Sequence, residues 1–133
     1  MFPSLILDTN AWLWLFNEPE RLSDASRQRL NAESTLGLSD ISLWEVGMLQ
    51  AKGRIILHTP LDVWMRRATQ RNLILLLRIT PEIAIDSNNL TGEFHGDPAD
   101  RIITATARSH NLTVVTSDRK ILDYPDVQRL STR

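Results

Sequence analysis

Two carboxylates stand directly beyond short hydrophobic or β-branched runs of the chain. Asp8 follows Leu5–Leu7, and Asp118 follows Val114–Thr116 after one intervening residue. Acids that are gathered at one place repel one another, and a divalent cation relieves that repulsion. Carboxylate oxygens without Cys or His suit Mg²⁺ or Mn²⁺ better than zinc, and such ions activate water against a phosphodiester. We therefore consider a metal-dependent hydrolytic site.

Glu45 occupies an unusual place for an acid in the predicted helix 40–53. Its neighbours three and four residues away are Ile41, Ser42, Met48 and Leu49. Because residues at these spacings share a helix face, and three of the four are apolar, Glu45 is predicted on the core-facing side. A carboxylate there is costly unless it is paired, protonated or bound to a cation. The alternatives are a salt bridge or a rim position that reaches water.

The remaining acids have ordinary structural explanations as well. Asp97 fits the N-cap of a predicted helix 97–111, and capping is the interpretation we favour for it. Asp100 lies in the first turn of that helix, where a carboxylate suits the helix dipole. Asp8 and Asp118 could each cap the helix that follows. Taken together, four or five acids at one edge of a sheet favour a cation site over a set of unrelated caps.

These acids need a scaffold that brings their strands side by side. Predicted strands lie at 5–7, 35–39, 73–79, 112–116 and 127–130, with a short extended piece at 54–59. Predicted helices begin near residue 11 and cover 23–32, 40–53, 60–71, 80–90, 97–111 and part of 117–124. Continuous apolar strands alternating with amphipathic helices predict an α/β fold, a three-layer α/β/α sandwich with a mostly parallel central sheet. Ligands bind such sheets beyond the carboxyl ends of the strands.

The overall composition sets broad limits. A chain of 133 residues fits one domain, which we place at 1–133. Its 15 basic and 16 acidic residues nearly cancel, so charge gives no support to nucleic-acid binding, although a local groove stays possible. There are no cysteines, no signal peptide pattern and no apolar stretch long enough to span a bilayer. We expect a cytoplasmic protein without membrane contact.

Four ordered segments resemble the motifs of a known family. They are LILDTNAWLW, ISLWEVGML, HGDPADRIITATA and LTVVTSDRKI. In order and spacing they resemble the motifs of PIN-domain ribonucleases, above all the VapC-type toxins of bacterial toxin–antitoxin pairs. The resemblance covers nearly the whole chain. It implies a Rossmann-like domain whose acids bind one or two Mg²⁺ or Mn²⁺ ions and hydrolyse RNA by activating a water molecule.

The resemblance also implies roles for individual residues. The four catalytic and metal-binding acids are Asp8, Glu45, Asp100 and Asp118. Thr9 and Asn10 fall where family members often place polar residues of the first motif, and Ser117 is expected to help to orient Asp118. Asp97 recurs in the DPADR variant and is kept as a supporting residue. No RNA-specificity residues are assigned.

Partners follow from the resemblance and from the tryptophans. VapC-type toxins are held inactive by a small cognate antitoxin. The resemblance therefore implies two protein partners, an antitoxin and a second copy of the chain in a homodimer. Trp12 and Trp14 are two residues apart, so one of them is expected at an interface while the other tryptophans pack in the core. Arg66, Arg67 and Arg71 form a basic cluster that we interpret mainly as a solvated helix face. His95, before Asp97, is expected in a loop rather than in catalysis.

Two other functions stay open at this point. The first is a Mg²⁺-dependent phosphotransfer domain of the receiver or phosphatase type with a phosphorylated Asp8. A phosphatase of the haloacid-dehalogenase type would want an aspartate two residues after Asp8, where Asn10 stands, and Lys120 poorly fits the lysine of a receiver. The second is a non-catalytic α/β interaction module whose acids are helix caps.

Overall fold

A computed structural model describes residues 2–70, 72–90, 94 and 96–133. Met1, Arg71, residues 91–93 and His95 lie outside the described residues. The expectations for Arg71 in the basic cluster and for His95 in a loop therefore stay predictions.

Five parallel strands form the central sheet. They are β1 (Leu5–Leu7), β2 (Leu36–Ser39), β3 (Ile74–Leu77), β4 (Thr113–Thr116) and β5 (Gln128–Ser131). Their order across the sheet is β3-β2-β1-β4-β5, and all four neighbouring pairs are parallel. The chain builds the sheet outward from β1 to β3 and then returns to the other side of β1. The two strands that flank this reversal, β1 and β4, are neighbours in the centre.

Within the part of the chain that the structure describes, seven α-helices connect and cover these strands. They are α1 (Thr9–Asn17), α2 (Asp24–Asn31), α3 (Asp40–Ala51), α4 (Leu61–Arg67), α5 (Pro81–Ser87), α6 (Pro98–His110) and α7 (Arg119–Leu122), with a 3₁₀ turn at Pro19–Arg21. The polar residues before them act as expected: Ser23 and Thr80 accept hydrogen bonds from the backbone N–H groups of Ser26 and Ile83. Within the described residues, no helix is long and apolar enough to cross a membrane.

The segment 54–59, expected to be a short extended piece, belongs to no strand of the sheet. It follows Gly53, whose positive φ of 68° turns the chain after α3. Its backbone groups bind a side chain instead of a neighbouring strand: Asn17 donates to the Ile56 carbonyl at 3.0 Å and accepts from the His58 N–H at 3.1 Å. The 3₁₀ turn at Pro19–Arg21 was also not predicted.

The sheet is buried on both faces. Leu5 and Leu7 of β1 pack in one core with Trp12, Val46 and other side chains of α1, α3 and α4. Ile6, which points to the other face, packs in a second core with Ile103 and other residues of α6, β4 and α7. Successive residues of a strand point to opposite faces, so a wholly apolar strand needs a helical layer on each side. The predicted three-layer α/β/α sandwich is confirmed.

The four tryptophans have different environments. Trp12 and Trp64 are buried and stack edge to face with their ring centroids 4.8 Å apart, and the Trp12 indole donates to the Ala68 carbonyl at 2.7 Å. Trp14 is half-buried with the Arg21 guanidinium 5.9 Å from its ring. Trp44, expected in the core, is 64% exposed, because it lies on the opposite side of α3 from the buried Val46.

The Trp12 hydrogen bond yields a test of the core. In Trp12→Phe the buried Ala68 carbonyl loses its donor and the edge-to-face contact with Trp64 shrinks. We expect the free energy of unfolding to fall by about 2 kcal/mol or more. Urea titration followed by circular dichroism measures this change. Trp44→Phe is the matched control and should change stability by less than about 0.5 kcal/mol; equal losses in both variants would contradict the assignment.

Candidate active site

Asp8 lies at the carboxyl end of β1. From this strand the chain first adds β2 and β3 on one side of the sheet and later adds β4 and β5 on the other side. The residue is 4% exposed, and its backbone N–H donates to the Val115 carbonyl of β4 at 3.0 Å. Its Oδ1 accepts the Ala11 N–H at 2.8 Å and so caps α1. Its Oδ2 accepts the Thr116 hydroxyl at 2.6 Å. The two explanations of Asp8, cap and site residue, are therefore compatible, because one oxygen caps the helix and the other faces β4.

Thr116 joins the ends of β1 and β4. Its buried hydroxyl donates to Asp8 and accepts the backbone N–H of Asp118 at 2.9 Å. Asp118 in turn caps the short helix α7 by accepting the Lys120 N–H at 2.9 Å. One hydroxyl thus fixes the relative positions of two acids that are 110 positions apart in the chain. Sequence analysis overlooked Thr116, although a polar residue at the buried end of a strand was a usable signal.

Glu45 reaches the same edge from α3. It is half-buried, and the Thr9 side chain hydrogen-bonds to it. The Thr9 hydroxyl also lies 2.9 Å from the hydroxyl of Ser42, which is fully buried one turn before Glu45. Thr9 therefore lies beside Glu45, at the edge of the sheet where the acids were expected to meet. Ser42 was missed, and its only signal was its place in the otherwise apolar neighbourhood of Glu45.

Asp97 and Asp100 approach the cluster from the start of α6. Asp97 is exposed and accepts the Asp100 N–H at 2.9 Å, so the favoured capping interpretation agrees with the geometry. The Asp100 carboxyl is hydrogen-bonded to that of Asp118, and this contact needs a proton between them. Asn10 is exposed on α1 and has no hydrogen bond to these acids in the described residues. Asp118 is fixed by Thr116 rather than by Ser117, whose role stays a prediction.

The pKa values of these acids reflect one electrostatic neighbourhood. Burial raises the pKa of Asp8 to about 6, against the lowering effect of its two hydrogen bonds, and the charges of Asp118 and Glu45 add to the rise. Burial, then the charges of Asp97 and Asp118, raise the pKa of Asp100 to about 8. Burial and the charge of Asp97 also raise the pKa of Glu45. Five acids on four elements thus influence one another, as the sheet topology predicts.

The donor set fits a hard cation in its chemistry. All five acids offer oxygen ligands, and burial together with neighbouring like charges raises the pKa values of Asp8, Glu45 and Asp100. Over residues 2–70, 72–90, 94 and 96–133, however, no three Asp, Glu, His or Cys side chains already stand in a metal-binding arrangement.

The comparisons with known proteins agree with this geometry. The family model described as PIN domain matches residues 5–127. The chain belongs to the PIN domain family. Ribonuclease VapC22 of Mycobacterium tuberculosis (strain ATCC 25618 / H37Rv) is 35% identical over 121 residues, which are 91% of this chain and 92% of that protein. The resemblance inferred from the four motifs is confirmed.

Solved structures of toxin–antitoxin complexes share the fold. A DNA-bound VapBC from Salmonella typhimurium has a TM-score of 0.74 at 21% identity, covering 99% of this PIN chain and 100% of that chain. VapBC2 from Rickettsia felis, bound to a DNA fragment from its promoter, has a TM-score of 0.72 at 18% identity, with 97% and 98% covered. A toxin–antitoxin complex from Klebsiella pneumoniae has a TM-score of 0.68 at 26% identity, with 98% of each chain covered.

The acid cluster makes the stability of the metal-free protein depend on pH. The folded-state pKa values of Asp8 and Asp100 lie above their ordinary value of 3.8, so their protonated forms favour the fold below about pH 4. That contribution is lost as the pH rises through about 6 for Asp8 and about 8 for Asp100. Asp100→Asn stays neutral, and in EDTA above pH 8 it should be more stable than the parent by on the order of 1 kcal/mol.

Urea titrations of parent and variant at low and high pH check this expectation. The gain should disappear near pH 4, where the parent carboxyl is protonated as well. Asp24→Asn is the control, because the Asp24 side chain is 87% exposed on α2 and its charge is not among the causes that shift the pKa values of Asp8, Glu45 and Asp100. A stability difference that is independent of pH would contradict the assigned charge repulsion.

Proposed function

We propose that this PIN-domain chain is a Mg²⁺- or Mn²⁺-dependent endoribonuclease and the toxin of a toxin–antitoxin pair. The observation that carries the proposal is the convergence of Asp8, Glu45, Asp100 and Asp118, with Asp97 beside them, at the carboxyl edge of β1 and β4. The similarity to Ribonuclease VapC22 of Mycobacterium tuberculosis supports the ribonuclease, and the structural neighbours, which are toxin–antitoxin complexes, support the antitoxin. Family membership favours this function over phosphotransfer and over a non-catalytic module.

Asp8 is the fixed point of the proposed site. Its buried position and its bonds to Ala11 and Thr116 leave it one orientation, while each oxygen keeps a lone pair for a cation. Asp100 and Glu45 would complete the ligand set from α6 and α3, and Asp118 would hold a second ion or position the attacking water. When bound, the ion lowers the pKa of water and neutralises charge that develops on the phosphodiester.

The raised pKa values indicate how the protonation of the acids would change when a cation binds. The proton between Asp100 and Asp118 must leave before both carboxylates can act as ligands. Since burial and like charges hold it there, ligand binding should release protons at neutral pH. The Thr9 side chain, which contacts both Glu45 and the Ser42 hydroxyl, would keep the Glu45 carboxylate directed at the edge of the sheet.

Cleavage of RNA is the direct test. Purified chain, freed of any partner, should cleave single-stranded or structured RNA with Mg²⁺ or Mn²⁺, and EDTA should stop the reaction. Asp8→Asn, Glu45→Gln and Asp100→Asn should each lower the cleavage rate by at least about 100-fold, because each removes a charged ligand. Gel analysis of end-labelled RNA measures the rates, and circular dichroism verifies that the variants are folded.

Asp24→Asn is again the matched control, since it removes one exposed carboxylate outside the cluster. It should cleave at the rate of the parent. If the three site variants cleave as fast as this control, the residue assignment is wrong. If the parent cleaves equally well in EDTA, the proposed metal dependence is wrong.

The proposed partners are an antitoxin, an RNA substrate and a second copy of the chain, all in the cytoplasm. Exposed apolar side chains are available for protein contacts on α3, α5 and the edge strand β3. They are Trp44, Ile85, Leu75 and Leu76. An apolar surface of this kind is commonly covered by another protein.

Expression of the chain alone should arrest bacterial growth. Co-expression with the product of a small neighbouring reading frame should restore it, because the antitoxin covers the acid cluster. Colony counts under induction give the measurement. Glu45→Gln, which keeps the size of the side chain, should be harmless without the antitoxin. Growth arrest by that variant at an equal protein level would contradict the proposal, because the toxicity would then not depend on the Glu45 carboxylate.

A further inference from the structure

A buried hydroxyl on α3 lies beside the acid cluster without being one of its acids. Ser42 is fully buried in the first turn of α3 and shares the buried face of that helix with Val46. Its hydroxyl oxygen lies 2.9 Å from that of Thr9, the first residue of α1. Burying a hydroxyl carries a desolvation cost, and serine is a poorer helix former than alanine. The contact with Thr9 is therefore what a serine offers at this position and an alanine would not.

The direction of this hydrogen bond follows from a second contact of Thr9. Burial raises the pKa of Glu45, and a hydrogen bond from the Thr9 side chain opposes that rise. A bond that lowers a carboxyl pKa stabilises the charged form, and a carboxylate can only accept. Thr9 has a single hydroxyl proton, so it donates that proton to Glu45 and must accept a proton from Ser42. A chain of hydrogen bonds thus runs from Ser42 through Thr9 to Glu45.

Ser42 restricts the orientation of the Thr9 hydroxyl. A threonine hydroxyl can rotate about its C–O bond and direct its proton to whichever acceptor suits it. The proton of Ser42 occupies one lone pair of the Thr9 oxygen, which leaves the Thr9 proton for Glu45. Both hydroxyl-bearing residues are buried, so bulk water is kept from competing for these bonds. The carboxylate of Glu45, which is only half-buried, is thereby tied to two buried side chains.

We propose that Ser42 is a positioning residue that acts through Thr9 and holds the Glu45 carboxylate in the orientation needed to bind a divalent cation. The inference rests on the proposed function, in which Glu45 is a metal ligand. Thr116 of β4 holds Asp8 in a similar way, since its hydroxyl donates to that carboxylate. Groups that hydrogen-bond to a metal-binding side chain typically change the metal affinity by about 10- to 100-fold.

Binding of Mn²⁺ in the absence of RNA tests the proposal. Calorimetric titration of the purified chain, freed of any partner, should show that Ser42→Ala weakens Mn²⁺ binding about tenfold. Thr9→Val, which nearly keeps the shape of the side chain, should weaken binding at least as much. Ser42→Ala added to Thr9→Val should have no further effect, because the path from Ser42 to Glu45 is already interrupted.

Ser87→Ala is the matched control. Ser87 is also a buried serine of a helix, but its hydroxyl donates to the Ala84 carbonyl of its own helix. This variant should bind Mn²⁺ like the parent. Ser42→Cys separates a lost hydrogen bond from lost packing, because a thiol fills the space but is a weak donor. Its Mn²⁺ binding should stay weakened, and circular dichroism verifies that each variant is folded.

A measurement in EDTA reports on Glu45 without metal or RNA. The carboxyl-carbon NMR resonance of Glu45 is assigned by its absence in Glu45→Gln and recorded at alkaline pH. It should move in Ser42→Ala in the same direction as in Thr9→Val, and Ser87→Ala should leave it in place. A purely structural role of Ser42 would lower the thermal stability and leave this resonance unchanged.

Three results would overturn the proposal. The first is a Ser42→Ala variant with the Mn²⁺ affinity or the Glu45 resonance of the parent. The second is an equal loss of affinity in the parent and in Thr9→Val, which would show that Ser42 does not act through Thr9. The third is a Ser42→Cys variant that binds Mn²⁺ like the parent. If the parent binds no Mn²⁺ or cleaves no RNA, the proposed function fails, whereas the Glu45 resonance still decides whether Ser42 orients that carboxylate.

Discussion

The hydrogen bond from Thr116 to the buried carboxylate of Asp8 is the contact on which the rest of the site depends. It joins the ends of β1 and β4, the neighbouring strands between which the order of strands changes side. The Thr116 hydroxyl also accepts the backbone N–H of Asp118. The sandwich provides the rigidity, since both cores pack against β1. Glu45 and Asp100 then reach the same point from helices on either side of the sheet.

The fold gathers negatively charged side chains at one edge of the sheet, although the net charge of the whole chain is close to zero. A nearly neutral chain places five acids at one edge of the sheet, where burial and like charges raise the pKa values of Asp8, Glu45 and Asp100, so the folded state carries an electrostatic cost there. Such a cost is tolerated in a protein when the site has a function that needs it.

Much of this architecture could be predicted because the decisive signals were local. Apolar runs, cap residues such as Ser23 and Thr80, and the periodicity around Glu45 depend on neighbours within one turn or one strand. Thr116 and Ser42 escaped prediction because their importance arises from partners that are distant in the chain. The contact of Asn17 with the backbone of the segment 54–59 was missed for the same reason. Trp44 shows that an aromatic residue on an amphipathic helix can still face solvent.

The long sequence separation of Asp8 and Thr116 has a consequence for biosynthesis. The two residues are 108 positions apart, and the strand that carries Thr116 pairs with β1 in the middle of the sheet. A ribosome-bound chain that lacks β4 can form β1, β2 and β3, yet it has neither the partner hydroxyl of Asp8 nor Asp118. The acid cluster can therefore be completed only after β4 and Asp118 have been synthesised, so a nascent chain that ends before them carries no finished site.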